Sequence, residues 1–208
     1  MVEEKIYRVL VIDDDEVDRQ AVVRGLAHSG LSVRVEEAGD GDEGLSVLQD
    51  QTFDCVFLDY RLGPGSDGLE VTRKVRESGN RIPIVVLTGY GDERVAVSLL
   101  KAGASDYLPK SVLTPDILGR CLRNAVALHE ADEKRVEFER ALHESEGQLR
   151  AIFEAANDAI MLIQPLTDRI LKVNPRATAL LGYSADEFQN LPASAVLPAE
   201  ADRLARPG

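Results

Sequence analysis

Three short stretches, Val9-Leu10-Val11-Ile12, Cys55-Val56-Phe57-Leu58 and Ile84-Val85-Val86-Leu87, are apolar on every successive residue. A strand with no polar alternation has to be covered on both faces, which is the situation of a parallel sheet with helices above and below it. Weaker strand patterns at 32–37 and 106–108 bring the number to five, with the strong ones at 8–12, 53–58 and 84–88. Between them, 16–28, 42–51, 68–77 and 93–102 carry apolar residues three and four apart, the helical spacing. Val17, Ala21 and Val22 show it in the first of these, and Leu45, Val47 and Leu48 show it less regularly in the second. Alternation of this kind requires right-handed crossovers, so the fold class is α/β, doubly wound. In such sheets, chemistry gathers beyond the carboxyl ends of the strands.

Composition removes several other classes. A formal charge of −12 is the wrong sign for a nucleic-acid surface, which needs clustered Lys and Arg. No apolar run reaches the roughly 20 residues that span a bilayer, and the amino terminus does not resemble a signal peptide. Cys55 and Cys121 are far apart and lack metal-ligand spacing, so they read as two reduced core thiols. The expectation is a soluble, cytoplasmic protein that binds neither nucleic acid nor membrane.

Beyond the alternating region, Thr114-Pro115-Asp116 combines a capping hydroxyl, a proline at the first helical position and an acid in the first turn. After Gly119 no Gly or Pro follows until Gly147, and apolar spacing resumes through Ile152 and Phe153. A helix from 115 to 156 would be roughly 60 Å long. A seven-residue register puts Cys121, Leu128, Arg135, Leu142 and Leu149 on one seam and Asn124, Ala131, Phe138, Ser145 and Ile152 on the other. Seven of these ten are apolar, so a parallel dimer helix is expected, and a chain ending before residue 114 should lose dimerisation. The pattern then changes: strands at 159–163 and 170–173, a turn at Thr167-Asp168, and a helix at 175–181 ending on Gly182. A second start is capped by Ser184, with Glu187 completing a capping box. Two strands and short helices form a poor independent core.

Four strand ends carry polar residues of definite type. The first strand runs into Asp13-Asp14-Asp15, the third into Asp59, the fourth into Thr88 and the fifth into Pro109-Lys110. In a parallel sheet these converge on one edge. Carboxylates brought together there repel and raise one another's pKa, a cost that a hard divalent cation such as Mg²⁺ removes. With a lysine and a hydroxyl nearby, the set suits phosphoryl transfer to a carboxylate, which depends on positioning and charge neutralisation. Asp59 would be the nucleophile, with Lys110 and Thr88 each taking one phosphoryl oxygen. Taken singly, Asp15 reads equally well as a helix cap, Thr88 as a strand end and Lys110 as surface charge.

"RVLVIDDDEVDR", "CVFLDYRL" with "DGLEV", "IPIVVLTGYGDE" and "AGASDYLPKS" resemble the receiver domains of two-component response regulators, over residues 6–128. The resemblance implies a five-stranded parallel sheet in the flavodoxin-like order 2-1-3-4-5, Mg²⁺ as cofactor and Asp59 as phosphoacceptor. It also implies metal ligation by Asp13, Asp14, Asp59 and the backbone carbonyl of Arg61. Thr88 and Lys110 become phosphate ligands, and Thr88 with Tyr107 the switch. The implied partner is a cognate histidine kinase or phosphotransfer protein. As an isolated chain it is not expected to be an enzyme beyond promoting its own phosphorylation and dephosphorylation. Two departures stand out: Ser111 follows Lys110 where most receivers have proline, and the loop after Asp59 is one residue longer, with Gly63-Pro64-Gly65 expected to absorb the extra residue in a turn.

The tail, "LRAIFEAANDAIMLIQPLTDRILKVNPRATALLGYSADEF", resembles the first half of a PAS domain, an α+β fold that needs about three more strands. The expected organisation is therefore a receiver domain at 1–128, a helical linker at 129–149 and a partial PAS region at 150–208. Two alternatives use the same residues: an Mg²⁺-dependent phosphatase with an Asp nucleophile, and a fragment of a hybrid histidine kinase. The first usually has a second Asp two residues after the nucleophile, where this chain has Arg61. The second would have His143 accept the phosphoryl group, but lacks the residues that usually follow such a histidine.

Overall fold

The structure is a computed structural model that describes residues 5–63, 67–89 and 95–196. Five strands, β1 (Tyr7–Ile12), β2 (Val33–Ala38), β3 (Cys55–Asp59), β4 (Ile84–Thr88) and β5 (Asp106–Pro109), form one sheet in the order β2-β1-β3-β4-β5. All four pairings are parallel. The doubly wound class and the strand order expected from the sequence are both found.

The all-apolar strands are buried residue by residue, and their alternation divides the core in two. Val9, Val11, Cys55, Phe57, Val85 and Leu87 face one side, where they meet Val22 and Leu26 of α1 (Glu16–Ala27) and the start of α5 (Pro115–Ala155). Leu10, Ile12, Val56, Leu58, Ile84 and Val86 face the other, against α2 (Gly41–Asp50), α3 (Gly68–Glu77) and α4 (Ala96–Lys101). Helices α1, α2 and α3 begin where side chains can satisfy their free N–H groups. Asp15 accepts from Val17 and Asp18, Asp40 from Glu43, and Asp67 from Glu70. The cap reading of Asp15 is correct. The expected helix at 93–102 begins outside the described residues.

The buried stripe of α1 differs from the expected one. Val17 is 73% exposed and Ala21 is also exposed, while Val22 and Leu26 enter the core. One turn before Val22, the same face carries Asp18 and Arg19 rather than apolar residues. There the helix has passed the end of the sheet and has no core to cover.

Helix α5 runs for 41 residues, straight through Gly147. Its first turns bury Leu118, Cys121, Leu122, Ala125 and Val126 on the sheet. Cys121 therefore belongs to the core and not to a free seam. Further along, Leu128, Val136, Phe138, Leu142, Leu149 and Ile152 are exposed.

The chain divides into two compact units, one ending at Arg135 and the other starting at Val136. In the second, β6 (Met161–Gln164) and β7 (Arg169–Val173) form an antiparallel pair. Asp168 takes a positive φ of 53° in the turn between them. Helices α6 (Pro175–Leu181), α7 (Ala185–Asn190) and α8 (Ala193–Val196) follow. A small core forms around Ile170, Phe188 and Ala193. Gly182 closes α6 with φ 79°, and Ser184 and Glu187 form the capping box at α7. Asn174 is fully buried and hydrogen-bonded at both ends of its amide: its carbonyl accepts from the Ile160 and Ala177 N–H groups, and its NH₂ donates to the Asp158 carbonyl.

Candidate phosphoacceptor site

The sheet register determines which side chains meet. Ile12 lies opposite Leu58, so the next residues, Asp13 and Asp59, leave β1 and β3 at the same level. Asp59 lies opposite Leu87, which puts Thr88 one residue further along β4. Thr88 in turn lies opposite Pro109, and Lys110 follows it. Strands β1, β3, β4 and β5 thus each deliver a polar side chain to the carboxyl edge, within one residue of the neighbour's level.

At that edge Lys110 Nζ donates to Asp13 Oδ2 at 2.9 Å and to Asp18 Oδ2 at 2.7 Å, and lies 3.0 Å from Asp59 Oδ1. Asp13 is fully buried, with its other oxygen accepting from the Asp15 N–H at 2.9 Å. Asp59 is 5% exposed and Thr88 4% exposed. Asp14 is exposed, and oxygens of Asp13, Asp14 and Asp59 all lie within 4.8 Å of one another. Tyr107, on β5, is more than one-third exposed.

The electrostatics follow from this crowding. Burial, reinforced by the charge of Asp13, pushes the Asp59 carboxyl up to about 6, although Lys110 works in the opposite direction. Burial also raises Asp13, against the hydrogen bonds from Lys110 and the Asp15 N–H. For Lys110, burial alone would lower the pKa, but its bonds to Asp18, Asp13 and Asp59 outweigh that and raise it. Three carboxylates around one ammonium group, with Asp14 beside two of them, leave a local excess of negative charge. Three converging carboxylates, two of them buried, form a hard-oxygen donor set that fits a small divalent cation.

The loop after Asp59 is shaped by two close approaches. A Cβ on Gly68 would lie 2.6 Å from the Asp59 carbonyl oxygen and 3.0 Å from Tyr60 Cα. Only a glycine lets α3 begin against the backbone at the end of β3. Gly63 has φ +78°, and Arg61 pairs with Asp67 in an isolated antiparallel bridge that closes the loop. Pro64 and Gly65, the rest of the expected turn, lie outside the described residues. No peptide bond among the described residues is cis, and with Ser111 after it Lys110 still reaches both Asp13 and Asp59.

The structure thus brings Asp13, Asp14, Asp59 and Lys110 into one cluster, with Thr88 at the same sheet edge and Tyr107 on the neighbouring strand. Two contributors were not singled out by sequence reasoning. Asp18 signalled itself only by breaking an apolar row with Val22 and Leu26, and Gly68 only by opening a helix directly after an acid. His143 is exposed on α5, remote in sequence from the acidic cluster.

Comparison with known proteins agrees with this architecture. A family model described as the response regulator receiver domain matches residues 9–121, and a PAS-domain model matches 147–206. The response regulator MprA of Mycobacterium sp. (strain KMS) is 42% identical over 113 residues, covering 54% of this chain and 48% of that protein. MprA of Mycobacterium bovis (strain BCG / Pasteur 1173P2) aligns to the same extent. The chain therefore spans about half the length of these curated relatives. Among solved structures, a receiver domain from Clostridium thermocellum is 28% identical with a TM-score of 0.55, covering 60% of this chain and 98% of that one. The signal receiver domain of NarL from Mycobacterium tuberculosis is 33% identical with a TM-score of 0.53, covering 58% of this chain and 97% of that one. The strand order, the acidic edge and a family match over more than half of its length together make this chain a member of the response regulator receiver family of two-component systems, with a PAS region after the receiver.

Proposed function

We propose that Asp59 is the phosphoacceptor of a His-Asp phosphorelay and that its modification switches the surface around Thr88 and Tyr107. The observation that carries this reading is the Lys110 ammonium group held between Asp13 and Asp59 at 2.9 and 3.0 Å. An ammonium in that position is ready to meet a phosphoryl oxygen on Asp59. In the reaction an Asp59 carboxylate oxygen attacks phosphorus, and the bond to the donor breaks, the electron pair leaving with the donor. Lys110 donates to one phosphoryl oxygen and the Thr88 hydroxyl to another. Asp13, Asp14, Asp59 and the Arg61 backbone carbonyl would hold Mg²⁺. When bound, the ion supplies positive charge that offsets the charge on the transferring group.

The response is a two-state one: Thr88 moves toward the phosphoryl group and Tyr107, exposed at rest, turns inward behind it. The early turns of α5 pack on the same side of the sheet as Val85 and Leu87 of β4, which offers a route from Thr88 toward the PAS region. The partner would be a histidine kinase or phosphotransfer protein in the cytoplasm. The exposed apolar residues of α5 would pair with a second copy, in an organisation of receiver (1–128), helical linker (129–149) and partial PAS region (150–208).

The test is incubation with acetyl phosphate, with and without Mg²⁺, read by intact-protein mass spectrometry. One added phosphoryl group is expected, dependent on Mg²⁺ and lost in Asp59→Asn. A phosphoryl group that persists in that variant would falsify the assignment.

A further inference from the structure

Lys110 has three ammonium protons and three carboxylate partners, and these partners are not alike. Asp13 and Asp59 have side chains 0% and 7% exposed, whereas the Asp18 side chain is 47% exposed. Asp13 and Asp59 belong to the converging oxygen cluster with Asp14, and Asp18 does not. Asp18 also comes from a different kind of element. It sits in the first turn of α1, its N–H bonded to the Asp15 cap, on the row that continues through Val22 and Leu26 into the core. The fold therefore brings a fourth carboxylate over the rim of the site and commits one of the two hydrogen bonds of Lys110 to it.

We propose that Asp18 is a positioning residue that competes with the phosphoryl group for Lys110, restraining the lysine until Asp59 is modified. This rests on the reading of Lys110 as a phosphate ligand. A phosphoryl oxygen arriving at Asp59 needs a donor, and Lys110 already donates to Asp13 and Asp18 and lies 3.0 Å from Asp59. Asp18 is the partner released at least cost, because its half-exposed carboxylate exchanges the ammonium for water. Asp13 cannot do this from a fully buried position. Release leaves the α1 terminus without its tie to the loop after β5, so occupation of the site is felt at a second element.

The experiment is a calorimetric titration of the full chain with beryllofluoride, a non-transferable phosphoryl mimic, at saturating Mg²⁺. Wild type is compared with Asp18→Asn, Asp18→Glu and Glu16→Gln, each checked for folding by thermal denaturation. Asp18→Ser serves as a second variant with the same expectation as Asp18→Asn. Removing the competitor should tighten beryllofluoride binding about two- to five-fold, the range expected for loss of a half-exposed ion pair. Asp18→Glu, which keeps a carboxylate within reach of Lys110, should return toward wild type. Glu16→Gln removes one charge from the same helical turn, is not a partner of Lys110, and should leave affinity unchanged. Unchanged or weaker binding in both Asp18→Asn and Asp18→Ser overturns the proposal but leaves the phosphoacceptor reading intact. Equal tightening in Glu16→Gln does the same, since the effect would then be general charge. A wild-type protein that does not bind beryllofluoride overturns both.

Discussion

Asp59 is held in a state that costs energy whenever it is ionised. Its folded pKa of about 6 lies above the ordinary 3.8, so folding favours the protonated form. The associated stability is fully present below about pH 4 and is lost as the pH rises through about 6. A rise of that size corresponds to about 3 kcal/mol, so a neutral replacement should recover on the order of 1–3 kcal/mol. In chelator at pH 7.5, Asp59→Asn should melt at a higher temperature than wild type, with the gap closing toward pH 4. Melts showing the variant less stable across that range would contradict this. Gly68 makes the opposite kind of prediction. An added methyl would press on backbone atoms of Asp59 and Tyr60, which cannot swing aside as a side chain can. Gly68→Ala should lose about 1–3 kcal/mol in urea unfolding and take up phosphoryl groups from acetyl phosphate more slowly.

Among the elements, α5 carries the most instructive result. Its start was legible in Thr114-Pro115-Asp116, and the Thr114 hydroxyl does accept from the Ile117 N–H at 3.3 Å. Its periodicity was misleading at the start, because Cys121 matches a seven-residue seam yet is buried on the sheet with Leu118, Leu122 and Val126. One helix serves two surfaces, and a repeat in sequence does not say where the first ends. This changes the dimerisation test. A chain cut before Thr114 would lose three large apolar groups from the receiver core and should fail to fold, so the informative cut follows Arg135. Light scattering should find the full chain dimeric and the chain ending at Arg135 monomeric; a dimeric short form would remove α5 as the interface. Gly147 offers a further check, since it is helical with nothing within 4 Å of an added Cβ. Gly147→Ala should stabilise α5 by up to about 1 kcal/mol, raising the thermal midpoint of its helical signal. The misassigned stripe of α1 has the same origin as that of α5. Val17 and Ala21 are apolar and correctly spaced, but the row that packs on the sheet is the neighbouring one through Val22 and Leu26.

For the whole molecule, the part read most easily was the part with a one-dimensional signature. Runs such as Val9–Ile12 and Ile84–Leu87 announce buried parallel strands, and a polar residue ending each run marks the edge where the strands converge. Asp13, Asp59, Thr88 and Lys110 were visible for that reason. Asp18 was not, because its meaning comes from Lys110, 92 residues away, and Gly68 was not, because its constraint is a backbone approach. The second unit showed its turns and caps clearly, through Asp168, Gly182 and Ser184, but two strands yield only a small core around Phe188. What unites the first unit is the claim that a single carboxylate is the group to be modified. Peptide mapping by tandem mass spectrometry after acetyl phosphate and Mg²⁺ tests this most directly. One hydroxylamine-labile phosphoryl group is expected, on the peptide containing Asp59; a phosphoryl group found instead on His143 or on any serine or threonine would contradict Asp59 as the modified group.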